Sequence, residues 1–265
     1  MPSVKEFNPK KFSDLVTYIE KISNKHAAMW FRGCGIGSSP LVPKLYRHPT
    51  NKTIADISHL EHDLMIHFRQ RSIPFHSRNL QDDWDTLFFM QHYGVPTRLL
   101  DWTENPFVAL YFAVMSAPIQ TNGNFSDAAV WILDPIVWNK HALKHQSYDG
   151  GILTPGAEAL KGYNPSRTIE DMCNFPVALY GTHNSPRIVA QRGVFMIFGQ
   201  QVHPMEEVFT SEKFPTDCLM KINIKSNRLR EIRQSLLKNG TTESVVFPDL
   251  DGLAREIKRT FSFEV

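Results

Sequence analysis

Residues whose types could do chemistry gather at three places in this 265-residue chain. The first is Phe31-Arg32-Gly33. An arginine at the end of an apolar strand can offer a fixed guanidinium fork to a phosphate or carboxylate, and Gly33 lets a ligand or a neighbouring backbone come close. The second and densest runs from Gln91 to Ala113, QHYGVPTRLLDWTENPFVALYFA. It supplies an amide, an imidazole and a phenol at Gln91, His92 and Tyr93, then Arg98, Asp101, Trp102, Thr103 and Asn105. His92 is suited to act as acid, base or hydrogen-bond donor. The third is Gln191-Arg192-Gly193, between two strand patterns. Each has a plain structural role when taken singly: Arg32 a surface ion pair, His92 a ring satisfied by backbone, Trp102 a core filler. In the same vein, Asp101 would be a partner of Arg98 or a helix cap, Gly193 part of a bulge or tight turn, and Glu243 an exposed turn acid.

Several chemistries are argued against. His59 and His62 fall on the polar side of a helix and read as solvated, so no metal is expected. Cys34, Cys173 and Cys218 are odd in number and lack CxxC spacing, which fits a reducing cytosol. There is no nucleophile elbow and no GKT or GKS phosphate loop. Gly33, Gly35 and Gly37 are too closely spaced for a dinucleotide fingerprint. With 29 basic and 27 acidic residues, the net charge of +2 does not argue for nucleic acid across the whole chain. No apolar run is long enough to cross a bilayer, and the first residues lack a signal-peptide core. A cytoplasmic protein without membrane contact is expected.

The elements that must position these groups follow from periodicity. Phe12, Leu15, Ile19 and Ile22 mark an opening helix. His26 to Phe31 reads as a strand ending at Arg32-Gly33, and residues 54 to 70 and 84 to 90 read as helices. Gly94-Val95-Pro96 is a turn, Arg98 to Leu100 a strand, and Asn105-Pro106 the start of a helix. Ala128 to Leu133 is a buried strand, and residues 139 to 186 are irregular. Strand patterns follow at Arg187 to Gln191, Val194 to Phe198 and Leu219 to Ile224, then helices at Asn227 to Leu237 and in the tail. With helices early and late and strands between, the expected fold is a single α+β domain.

Phe31-Arg32-Gly33, the run from Gln91 through Asn105-Pro106 to Ala113, Arg187 to Phe195 and Phe247 to Leu253 together resemble the FRG-domain family. That resemblance divides the chain into an N-terminal helix and lead-in over 1–27, an FRG domain over 28–253 and a C-terminal helix over 254–265. The chain is also similar, more distantly, to ADP-ribosyltransferases with a Tyr-Arg-Gly-like first motif, a Ser-Thr-Ser strand and an Asn-Pro-x-Val-Ala helix. Phe31 to Gly33, Leu100 to Thr103 and Asn105 to Ala113 stand at those places.

The second resemblance implies a split β-sheet core with flanking helices and NAD as the bound nucleotide. It implies Arg32, Asp101 and Gln191 as catalytic residues, and a nucleotide held by Arg32, Gly33, His92, Tyr93, Trp102 and Thr103. It also implies a macromolecular acceptor (RNA, DNA or protein), a toxin or phage-defence role, and an antitoxin as a further partner. The chain departs from those enzymes where Asp101 and Trp102 replace two of the Ser-Thr-Ser positions and Gly193 stands in the place of their acid. The carboxylate then falls to Asp101, to a Glu243 swinging in, or to none. In the last case the cleft binds a nucleotide, or a nucleic acid, without turnover. Basic residues among aromatics, His67 to Arg78 and Arg228 to Arg233, suit nucleic acid as well as a solvated helix face.

Overall fold

The computed structural model describes residues 3–263 except 51, 78, 79, 81, 122, 147, 149, 168–171, 183 and 184. Arg78, one of the basic residues singled out above, therefore lies outside the described residues. The N-terminal half contains β1 (Lys5–Phe7), α1 (Phe12–Ser23), β2 (Trp30–Cys34), α2 (Ile54–Ser72), α3 (Asp83–His92), β3 (Leu99–Thr103), α4 (Pro106–Met115) and β4 (Ala128–Leu133). Then come α5 (Pro135–Ala142), β5 (Val177–Leu179), α6 (Pro186–Gln191), β6 (Gly193–Ile197), α7 (Met205–Ser211), β7 (Leu219–Ile224), α8 (Ser226–Lys238), α9 (Glu243–Val246) and α10 (Leu250–Thr260).

The strands form one seven-stranded sheet in the order β1-β7-β4-β2-β3-β6-β5. Only the β1–β7 edge is parallel; the other pairs are antiparallel. Side-chain alternation sorts the sheet into two apolar layers. Trp30, Trp131 and Leu133 enter one cluster with Trp138, Tyr163 and Phe209. Phe31, Val130 and Ile132 enter the other, against Leu15 and Ile19 of α1, Leu110 of α4 and Leu229 of α8. A strand covered on both faces has no polar side to show, which explains the unbroken AAVWIL of β4. The architecture is therefore a mixed sheet with flanking helices.

The sheet is weakest at its centre. β2 runs five residues alongside β4, from Trp30 opposite Leu133 to Cys34 opposite Ala129. Towards β3 its only paired position is Phe31 opposite Thr103. Beyond that pair the two strands diverge, and the opening between them begins at Arg32.

Four sequence expectations change. The strand carrying Arg32 starts at Trp30 and continues through Gly33 to Cys34 instead of ending at the glycine. It can do so because α4 lies directly against it: a Cβ on Gly33 would sit 1.9 Å from the Ala109 carbonyl oxygen. The strand at Asp101 likewise extends to Thr103. Arg187 to Gln191 is not a strand but lies in α6. Ser185 caps that helix by accepting from the Ile188 N–H at 3.3 Å, Pro186 occupies the first turn, and Arg192 closes it at φ 45°. These end signals outweigh the β-branched pair Ile188-Val189. The short elements β1, β5, α5, α7 and α9 gave no pattern long enough to read, and the tail helix begins at Leu250 rather than 254.

Candidate functional site

The opening between β2 and β3 is the floor of a cavity of about 300 Å³. Its walls come from β2 (Arg32, Gly33), β3 (Asp101), the end of α3 (Gln91, His92), α4 (Phe112) and α6 (Arg187, Gln191). Arg32, Asp101 and Gln191, expected together from sequence, do line one cavity. Arg32 Nη1 donates to the Asp101 carbonyl oxygen across the gap where sheet pairing has stopped. The guanidinium thus replaces a missing ladder bond and is fixed in place.

A relay of hydrogen bonds holds the Asp101 side chain. Its Oδ2 accepts from Gln91 Nε2 at 2.8 Å, and Gln91 Oε1 accepts from Thr97 Oγ1 at 2.5 Å. The carboxylate itself is exposed to the cleft. Gln91 belongs to the stretch singled out from sequence, but its role as the partner of Asp101 depends on the turn of α3 into β3. Gln191 is anchored from outside, its Nε2 donating to the Val246 carbonyl at 3.0 Å. Its backbone oxygen accepts from Thr103 Oγ1 at 2.6 Å, and the same hydroxyl accepts from the Asn105 N–H at 2.9 Å. Thr103 therefore stitches β3 to α6 and to the start of α4. Asn105 caps α4 as expected, accepting from the Phe107 N–H at 2.9 Å.

An outer basin of about 480 Å³ adjoins the cavity and shares Arg32, Gln91, His92, Asp101 and Arg187 with it. It adds Lys44, Arg47 and Tyr93. Arg32, Arg47 and Arg187 have no ion-pair partner among the described residues. Burial, and then the like charge of Arg32, pull the Arg47 guanidinium below its usual value. His92 is lowered too, first by burial and then by Arg187. Its Nδ1 lies 3.4 Å from Ser185 Oγ. Crowded cations without counter-charge form a site for a polyanion. Arg187 and Arg47 were not picked out by sequence; neither sits in a motif with a phosphate-binding mechanism, and only the fold brings them to Arg32.

Other residues behave differently from their sequence readings. Trp102 is 3% exposed and packs in the core, although it also lines the cavity. Tyr93 is 64% exposed and faces the outer basin, not the inner cavity. Gly33 lines the cavity, but the close approach it permits is that of α4. Arg98 does not pair with Asp101. Its Nε lies 3.0 Å from Glu61 Oε2 in the protein interior.

Glu243 is not an exposed turn acid: it is 2% exposed, its Oε1 is 2.7 Å from Arg259 Nε, and it does not line the cavity. Burial and the neighbouring Glu243 push the Tyr111 hydroxyl up to about 12. His59 and His62 are exposed on α2, as their polar face implied. No helix among the described residues is long and apolar enough to cross a membrane.

Residues 27–121 match the model of the FRG domain. The match contains the Phe31-Arg32-Gly33 strand and the whole of Gln91 to Ala113, and so every one of these cavity walls except α6. Gln191 and Arg187 lie outside it. No curated protein and no solved structure matches the chain.

Proposed function

We propose that the cleft binds NAD and transfers its ADP-ribosyl group to a macromolecule, nucleic acid or protein, as a toxin or phage-defence enzyme would. The supporting observation is the convergence of Arg32, Asp101 and Gln191, from three separate elements, on one cavity. The donor set suits the nucleotide: Arg32, Arg47 and Arg187 without carboxylate partners for the two phosphates, beside one exposed carboxylate for a cationic sugar. Both volumes lie in the range of small-molecule sites. The limited β2–β3 pairing is in keeping with the split sheet implied by the transferase resemblance.

NAD supplies a ribose carbon that becomes cationic as its bond to nicotinamide breaks and the bonding electrons leave on the ring nitrogen. Arg32, held by the Asp101 carbonyl, fixes the phosphates so that the sugar meets Asp101. The Asp101 carboxylate, held by Gln91, stabilises the developing positive charge. As the acceptor attacks, the same carboxylate takes the proton that the acceptor loses. Gln191, anchored at Val246, presents an amide on the third wall.

Labelled NAD incubated with mixed protein, RNA and DNA acceptors tests this. Nicotinamide release or label transfer should fall about 10²- to 10³-fold in Arg32→Ala and in Asp101→Asn. Failure to bind NAD at millimolar concentration would falsify the proposal. One feature favours a second reading, a nucleotide-binding module without turnover. Gly193 offers no carboxylate, and Glu243 is locked to Arg259. Binding that depends on Arg32, with no nicotinamide release in any acceptor mixture, would select it.

A further inference from the structure

Beyond the basic basin lies a second cavity of different character. It measures about 460 Å³ and is lined by Phe68, Phe75, Phe89 and Tyr93, with Arg71 and His76 at its edge. Phe75 is 86% exposed and Tyr93 64%. The Phe89 ring is set edge-on to Phe68, His76 and Tyr93, with centroids 5.8, 4.9 and 4.9 Å away, which fixes the aromatic wall. Among the described residues, no aspartate or glutamate lines this cavity.

The aromatic cavity is continuous with the candidate site by two routes. Tyr93 and Val95 line both it and the basic basin. Leu64 links it to a third depression whose rim carries Lys44 and Arg47, the same two cations that edge the basin. The surface therefore alternates exposed π faces with positive charge.

We infer that this track binds a single-stranded nucleic acid, with its phosphates along Lys44 and Arg47 and a base stacked between Phe75 and Tyr93. Three properties select that ligand. Exposed rings stack on bases of any identity, and only unpaired bases have both faces available. A polyanionic backbone satisfies guanidinium and ammonium groups that have no carboxylate partner among the described residues. Charge complementarity disfavours a basic peptide. The inference rests on the transferase reading only in one respect: it makes the strand the acceptor, delivered to the cleft along the track. Binding itself needs no NAD.

The test is fluorescence anisotropy with end-labelled single-stranded DNA and RNA of about 12 nucleotides and unlabelled duplex as competitor. Wild-type protein should bind single strands in a salt-dependent way, and duplex should compete poorly. Phe75→Ala, at an exposed position whose truncation leaves the core intact, should weaken binding roughly 5- to 150-fold. Lys44→Ala should weaken every sequence alike and reduce the salt slope by about 1. Absence of strand binding overturns the inference, as does equal binding by Phe75→Ala or equal competition by duplex. Nicotinamide release measured on the same samples separates the two proposals. Arg32-dependent release without strand binding leaves the transferase with a protein acceptor and ends this inference. Phe75-dependent strand binding without release supports the track and removes the transferase reading.

Discussion

Arg98 stands three residues before Asp101, and its guanidinium is buried at 2% exposure. Its Nε is 3.0 Å from Glu61 Oε2, and its Nη2 donates to the Tyr163 carbonyl at 2.8 Å. Nη1 of Arg98 and Oε1 of Glu61 have no hydrogen-bond partner among the described residues. Burial pushes the Glu61 carboxyl up while Arg98 pulls it down, the signature of a charge held inside by its counter-ion. The substitution Glu61→Gln keeps the shape and removes the counter-charge, which strands a buried guanidinium.

Stranding one member of such a pair costs about 3–5 kcal/mol. For a chain of this size that lowers the melting temperature by roughly 10 °C. Replacing both groups, Glu61→Met with Arg98→Met, should restore most of the loss, because two uncompensated charges disappear together and the half-satisfied network goes with them. Urea denaturation of the wild type, Glu61→Met, Arg98→Met and the double variant measures the coupling directly. A loss below about 1 kcal/mol in Glu61→Gln, or a double variant as unstable as the sum of the singles, would refute the pairing as a source of stability. Nucleotide binding by folded Glu61→Gln should persist at low temperature, since neither group lines the cleft.

Three further outcomes follow from the geometry. Gly33→Ala places a Cβ 1.9 Å from the Ala109 oxygen and 2.6 Å from the Ala113 nitrogen. It should lower the urea midpoint by an amount equivalent to about 1–3 kcal/mol or more, whereas a purely ligand-binding glycine would leave stability unchanged. His92 sits below its ordinary 6.5, so the stability tied to its neutral form is present above that value and lost as pH falls through the lowered one. An anion in the basin favours the charged ring. Calorimetric affinity for inorganic pyrophosphate should therefore rise between about pH 7 and pH 5, and His92→Gln should flatten the rise; a flat wild-type profile would count against it. Cys218 is buried, and its thiol is raised by burial and then by Asp134, so a thiol reagent should reach it only on unfolding. Cys34 and Cys173, partly exposed, should react in the folded chain.

Much of the fold was written locally. The amphipathic stripe of α1, the Asn105-Pro106 start of α4 and the doubly buried run of β4 each carry their own period or cap, so their elements were legible without the rest of the chain. Gln91 to Ala113, dense in polar groups, is a stretch whose residues line the cavity. Where local signals conflicted, pattern failed. Ile188 and Val189 suggested a strand, but Ser185, Pro186 and a left-handed Arg192 set the ends of a helix.

By itself the sequence determined residue types and their local frames: an arginine at the end of one strand, an aspartate at the end of another, a cap and a helix start at Asn105-Pro106. Partnership belongs to the tertiary structure, because charges and hydrogen bonds act through space over a few ångströms, whatever the separation along the chain. Only the folded chain takes Glu61 to Arg98 and leaves Asp101 to Gln91. Likewise, Glu243 is spent on Arg259, and Arg47 and Arg187 are set beside Arg32. The opening at Arg32 exists because β2 and β3 pair at a single position and then part.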